Sequence, residues 1–214
     1  MAINSIIVLG KGNSINKISK DEINSHEIIA WCNVHNDLDC DNIPNRADYL
    51  YLRDKSFVND LSDRYKNHLT ELKIKKIFCT NKVHFNKILN YDVNNDVLFT
   101  KQYKFNPSTG LLAFIHVVSL KPKKITLVGL DLFENNTPIY YHDLDKSLTS
   151  KKNLLGLKKL CKNNIINNLN IHDNNKTIKI INDQIRTNEN IEFTIITDNI
   201  NFYNKIKENK NVKQ

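Results

Sequence analysis

The chain has 214 residues, about 40% of them apolar, and carries a net charge of +8 with a pI near 9.2. A chain of that length buries an independent core, so no disulfide or metal staple is required to hold it together. The four cysteines, Cys32, Cys40, Cys79 and Cys161, are scattered without a Cys-x-x-Cys pair, which argues against a disulfide framework or structural zinc site and for reduced thiols in a reducing compartment.

Asn4 and Ser5 stand where a signal peptide needs a basic region and a longer apolar stretch, and no apolar segment approaches a membrane span. The expectation is a cytoplasmic chain. Its positive charge concentrates in lysine-rich runs at 73–76, 121–124 and 205–213, which favours anionic partners: a nucleic acid, an acidic lipid surface or a phosphorylated glycan. Asparagine makes up about one residue in six against a few per cent in ordinary usage. With the heavy use of Lys and Ile this points to an AT-rich coding sequence, so charge alone carries little functional weight.

In chain order, strand-like apolar runs are expected at 5–9, 28–32, 49–52, 74–79, 125–128 and 191–196. Helix-period stretches fall at 57–72, 110–120, 154–167 and 177–185. Nearly continuous Val, Ile and Leu runs alternating with helices predict a mostly parallel sheet covered on both faces, that is, one Rossmann-like α/β domain over 1–204. The turn-rich stretch 131–150 predicts a small flap at the sheet's carboxyl edge, and the basic segment 205–214 reads as a disordered tail.

Ligands of an open parallel sheet bind beyond the carboxyl ends of its strands, so the residues after each apolar run are the candidates. The first group is Gly10-Lys11-Gly12-Asn13-Ser14, a turn whose glycines allow backbone to approach a phosphate and whose following helix adds a positive end. A dinucleotide fingerprint needs a third glycine where this chain has Ile15, which disfavours NAD. Asn33 follows the second run with a carboxamide suited to a ribose hydroxyl or base edge, and Arg53 follows the third. Ser108-Thr109-Gly110 opens a helix with two hydroxyls and a glycine, and Gly129-Leu130-Asp131 ends the next strand. Tyr140-Tyr141-His142 lies in the expected flap, and His172-Asp173 precedes the helical stretch at 177–185.

Taken in this order the pieces resemble the bacterial sialyltransferases of glycosyltransferase family 42. The shared pattern is a G-x-G-x-S turn (Gly10 to Ser14), a Cys-Asn pair (Cys32-Asn33) and a Ser/Thr-Gly helix start (Ser108 to Gly110). A G-[IL]-D-[FL]-[FY] strand end (Gly129 to Phe133) and a histidine before a polar turn and helix (His172) complete it. Residues 106–112 are also similar to the small sialyl motif of eukaryotic sialyltransferases. Together the matches cover about a third of the chain.

The resemblance implies a GT-A-variant form of the Rossmann-like domain and an inverting, metal-independent glycosyltransferase with no cofactor beyond its CMP-sugar donor. It transfers sialic acid or a related keto-acid sugar to a hydroxyl of a glycan or glycolipid, of the lipopolysaccharide kind. It further implies His172 as general base and Tyr140 or Tyr141 as donor to the departing phosphate. Asn33, Ser108, Thr109 and Gly110 would hold ribose and cytosine, the Gly10 to Ser14 turn would hold the phosphate, and Lys11 would add positive charge there; Arg53 and Asp131 belong to the same donor-binding set. The basic tail implies peripheral contact with the inner face of an acidic membrane; association of copies stays open, and no nucleic acid is called for.

Two other readings fit parts of the sequence. Asp37-Leu38-Asp39 and Asp143-Leu144-Asp145 are D-x-D pairs that suit a metal-dependent nucleoside-diphosphate-sugar transferase. A non-catalytic basic module for RNA or acidic membrane accounts for the charge, without the interleaved aromatics that a stacking platform shows.

Overall fold

A computed structural model describes residues 2–33, 46–52, 71–72, 74–79, 94–97, 107–132 and 173–213. Its centre is β1 (Ser5–Leu9), a run of β-favouring apolar residues that pairs in parallel with β2 (Ile28–Cys32) on one side and β6 (Lys124–Val128) on the other. Beyond β2 follow β3 (Tyr49–Leu52), β4 (Lys76–Cys79) and β5 (Asn94–Val97); beyond β6 follow β7 (Glu192–Ile196) and β8 (Val212–Lys213). Among the described residues the sheet has eight strands in the order β5-β4-β3-β2-β1-β6-β7-β8, all parallel. The α/β expectation holds.

Both faces of the sheet are covered, which explains why its central strands read as unbroken apolar runs. Successive side chains of β1 alternate between the two layers: Ile6 and Val8 join one core cluster, Ile7 and Leu9 the other. The first layer is packed by α2 (Thr109–Ser119), α3 (Asn174–Thr187) and α4 (Ile200–Ile206). The second is packed by the 3₁₀ turn Asn13–Lys17 and α1 (Lys20–Asn24) through Ile15, Ile18 and Ile23. Leu111, Phe114 and Val117 of α2 are fully buried, each worth about 1.5–3 kcal/mol by apolar burial. Tyr51, stacked on Phe78, hydrogen-bonds His116 at 2.7 Å and ties α2 to β3.

At the opposite, amino edge, buried Asp48 accepts the Ile29 N–H and pairs with Arg46 and Lys75, both at 2.7 Å. Burial alone would raise its carboxyl, yet Lys75, the Ile29 amide and Arg46 together hold it below the usual carboxylate range.

Residues 205–213 correct the expectation of a disordered tail. The α4 helix runs through Ile206, which is fully buried, and β8 pairs with β7. The carboxamide nitrogen of Asn211 faces the carbonyls of Ile185, Asn188 and Ile191 at 3.0–3.2 Å, and Lys213 pairs with Glu192 at 2.7 Å. A polar, basic composition reads as solvated, but here the polar groups satisfy backbone that would otherwise be left open. Of the expected helix at 57–72 only residues 71–72 are described, and the expected helix at 154–167 and the flap from residue 133 onward lie outside the described residues. Among the described residues no helix is long and apolar enough to cross a membrane.

Candidate functional site

The chain leaves β1 toward β2 on one side and returns from β6 on the other, which makes the carboxyl ends of β1 and β6 the topological switch point. Leu9 lies level with Val128 and with Trp31, so the residues after β1, β2 and β6 share one edge. Gly10 to Ser14, Asn33 and Gly129 to Asp131 are those residues.

The turn after β1 is bound tightly to the end of β6. Gly10 N–H donates to the Val128 carbonyl at 2.8 Å and Gly12 N–H to the Gly129 carbonyl at 2.7 Å. A Cβ on Gly10 would lie 2.2 Å from the Gly129 oxygen, and Gly129 itself has φ +74°. These glycines therefore permit two backbones to touch, a role that the sequence pattern does not separate from ligand approach. Between them Lys11 is only 8% exposed.

Ser14 and Asp131 face each other. The serine hydroxyl donates to Asp131 Oδ1 at 2.6 Å, with the Ile196 carbonyl at 3.1 Å, and accepts the Gly129 N–H at 3.0 Å. Its backbone N–H donates to Asp131 Oδ2 at 2.9 Å. Asp131 Oδ1 also accepts the Thr197 hydroxyl and the Asp198 N–H, both at 3.0 Å, and its carbonyl accepts the Asn199 amide at 3.1 Å. Lys17 pairs with Asp198 at 2.5 Å. The loop 197–199 is a part of this edge that the sequence reading missed; its signal was a Thr-Asp-Asn turn directly after an apolar strand.

On the β2 side, Asn33 has φ +63° and donates its N–H to the Tyr51 carbonyl at 2.7 Å. Its carboxamide oxygen accepts a long 3.4 Å bond from Thr109. Ser108 caps α2 by accepting the Leu111 N–H at 3.1 Å. A Cβ on Gly110 would lie 3.0 Å from the Leu130 side chain, so the first turn of α2 sits directly against the end of β6. Among the described residues, three of the four with positive φ, Asn33, Gly129 and Leu132 (φ +52°), fall on this edge; such backbone persists where its surroundings enforce it and clusters at functional sites.

The N-terminus of α3 reaches the same edge. Asp173 caps it by accepting the Lys176 N–H at 3.0 Å, and the Asn174 amide donates to the Leu132 carbonyl. Lys176, through its N–H and its ammonium, holds the Asp173 carboxyl below its ordinary value. Asp173, Asn174, Asn175, Lys176 and Lys179 line a cavity of about 390 Å³.

Gly10, Lys11, Gly12, Ser14, Asn33, Ser108, Thr109, Gly110 and Asp131 are thus brought to one edge, together with the backbone of Asn13. Arg53, Tyr140, Tyr141 and His172 lie outside the described residues, as do both D-x-D pairs. Among the described residues there is no group of three His, Cys, Asp or Glu side chains placed to hold a metal ion. Cys32 and Cys79 are buried, and burial pushes both thiols up to about 12.

No protein-family model matches the sequence, and no curated protein matches it. Solved structures do. The monofunctional α-2,3-sialyltransferase Cst-I from Campylobacter jejuni superposes with a TM-score of 0.65 at 18% identity, over 98% of this chain and 81% of that one. The sialyltransferase CstII from the same organism, in complex with the substrate analogue CMP-3FNeuAc, gives 0.60 at 20% identity over 97% and 87%. CstII with a trisaccharide acceptor and CMP gives 0.57 at 17% identity over 97% and 87%. The protein therefore has the fold of these sialyltransferases.

Proposed function

We propose that this protein is a CMP-sugar-dependent glycosyltransferase that moves sialic acid or a related keto-acid sugar to a hydroxyl of a glycan. One observation carries the reading: the G-x-G-x-S turn, Asn33 and the Ser-Thr-Gly helix start meet at the switch point of a sheet shared with enzymes solved in complex with CMP. The fold alone hosts many chemistries, and these residues narrow it.

In this reading Asn33 and the α2 N-terminus hold the nucleoside, and Lys11 meets the single phosphate that departs. An oxocarbenium-like transition state loses that phosphate to donors already in place, which Tyr140 or Tyr141 supply without a metal. His172 removes the acceptor proton as the hydroxyl attacks from the opposite face, inverting the anomeric centre. It directly precedes the Asp173 cap of α3 in the chain. Lys205, Lys207 and Lys210, exposed on the folded C-terminal end, offer charge for peripheral contact with an acidic membrane.

Replacing His172 with Ala tests the proposed base. Transfer from a CMP-keto-acid sugar should fall at least about a hundredfold, with CMP affinity nearly unchanged. Unchanged turnover would remove His172 from the mechanism.

A further inference from the structure

Among the described residues at the switch point, the Asp131 carboxylate gathers hydrogen bonds from two loops other than its own. Its carboxylate takes the hydroxyl and N–H of Ser14, the hydroxyl of Thr197 and the N–H of Asp198. One carboxylate thus joins the loops after β1, β6 and β7, the three neighbouring strands at the centre of the site. The fit is close: a Cβ on Gly12 would stand 2.3 Å from Asp131 Oδ2, so the second glycine of the G-x-G turn is the space this carboxylate occupies. Gly10 and Gly12 bracket Lys11 and donate their amides to β6.

The geometry points to Asp131 as a positioning residue rather than a nucleotide ligand: with Ser14 and Thr197 it fixes the turn that carries Lys11. The inference rests on the donor reading above for the identity of what Lys11 meets, a nucleotide's phosphate. A carboxylate with three donors on Oδ1 is rigidly held, and charge-assisted bonds of this kind are the stronger class. Loosening it frees the turn without touching the nucleoside side of the site, where Asn33 and Thr109 sit. Phosphate recognition and nucleoside recognition should therefore separate.

Titration calorimetry with CMP and with cytidine, which lacks the phosphate, reads that separation. The wild-type chain should bind CMP more tightly than cytidine. Asp131→Asn should weaken CMP by about tenfold, the scale of one charge-assisted hydrogen bond, and leave cytidine within about twofold. Thr197→Val removes one donor to Oδ1 at a residue given no part in ligand contact. It should shift the CMP-to-cytidine ratio in the same direction by a smaller factor, which keeps the test open if Asp131→Asn fails to fold. Equal weakening of both ligands by these variants would make Asp131 a nucleoside contact and overturn the inference, as would an unchanged ratio. A wild-type chain that binds neither ligand would instead overturn the donor reading itself, and the positioning role with it.

Discussion

Gly10 shows how a single position can be legible as special while its reason stays hidden. A glycine after an apolar run marks tight backbone in any sequence, but only the structure shows that the neighbour is the Gly129 carbonyl. Gly10→Ala should destabilise the chain by about 1–3 kcal/mol, the scale of an overpacked core, because the atom it strikes is backbone and cannot rotate away. The check is urea unfolding: a lower midpoint at unchanged slope supports this, and an unchanged midpoint contradicts it. Asp131 was legible as a candidate at a strand end, yet its partners lie at least 66 residues away in sequence, beyond the reach of any local pattern.

His26 illustrates a role that composition cannot suggest. Its Nδ1 faces the Glu22 carbonyl at 2.9 Å and so carries the proton, leaving Nε2 to accept the buried Thr126 hydroxyl at 2.8 Å. Burial, with a contribution from the Lys124 charge, holds the imidazole below its ordinary value. Such a group binds its proton more weakly when folded, so its stabilisation is full above about pH 6.5 and declines as pH falls toward the folded value. Thermal stability measured from pH 7 to pH 5 should fall less steeply in His26→Gln than in wild type. Parallel profiles would rule out this contribution.

At the scale of elements, β1 to β4 and β6 were readable because they are buried on both faces beyond their first residue and therefore read as apolar runs, and β7 because its alternate residues Phe193 and Ile195 are buried. The two strands that escaped, β5 and β8, are the sheet's edges. An edge strand pairs on one side only and tolerates a polar sequence such as Asn-Asn-Asp-Val. Helix α2 was readable from Ser-Thr-Gly and its apolar run, whereas α1 and α4, at five and seven residues, are too short to show a period. The C-terminal end was misread for the same compositional reason as the edges. Removing residues 207–214 should lower the melting temperature by several degrees (~2–4 °C per kcal/mol lost), since it strips β8 from β7 and the Asn211 bonds from the end of α3. A truncated chain that melts with the full-length protein would return the segment to the status of a tail.

For the molecule as a whole, the alternation of strands and helices fixed the fold class, and strand order did the rest. The order β5-β4-β3-β2-β1-β6-β7-β8 places the switch point between β1 and β6. That is where the G-x-G-x-S turn and the Gly-Leu-Asp strand end face each other. The sequence shows both motifs but not that they touch. The central claim is that this edge recognises CMP, and a thermal-shift comparison of CMP, UDP, GDP, NAD and S-adenosylmethionine tests it most directly. At a concentration near 100 times its dissociation constant, CMP should stabilise the chain by about 2.7 kcal/mol, or about 5–10 °C for a domain of this size, with the other four far behind. A selective response to UDP or GDP, or none to CMP, would contradict the account.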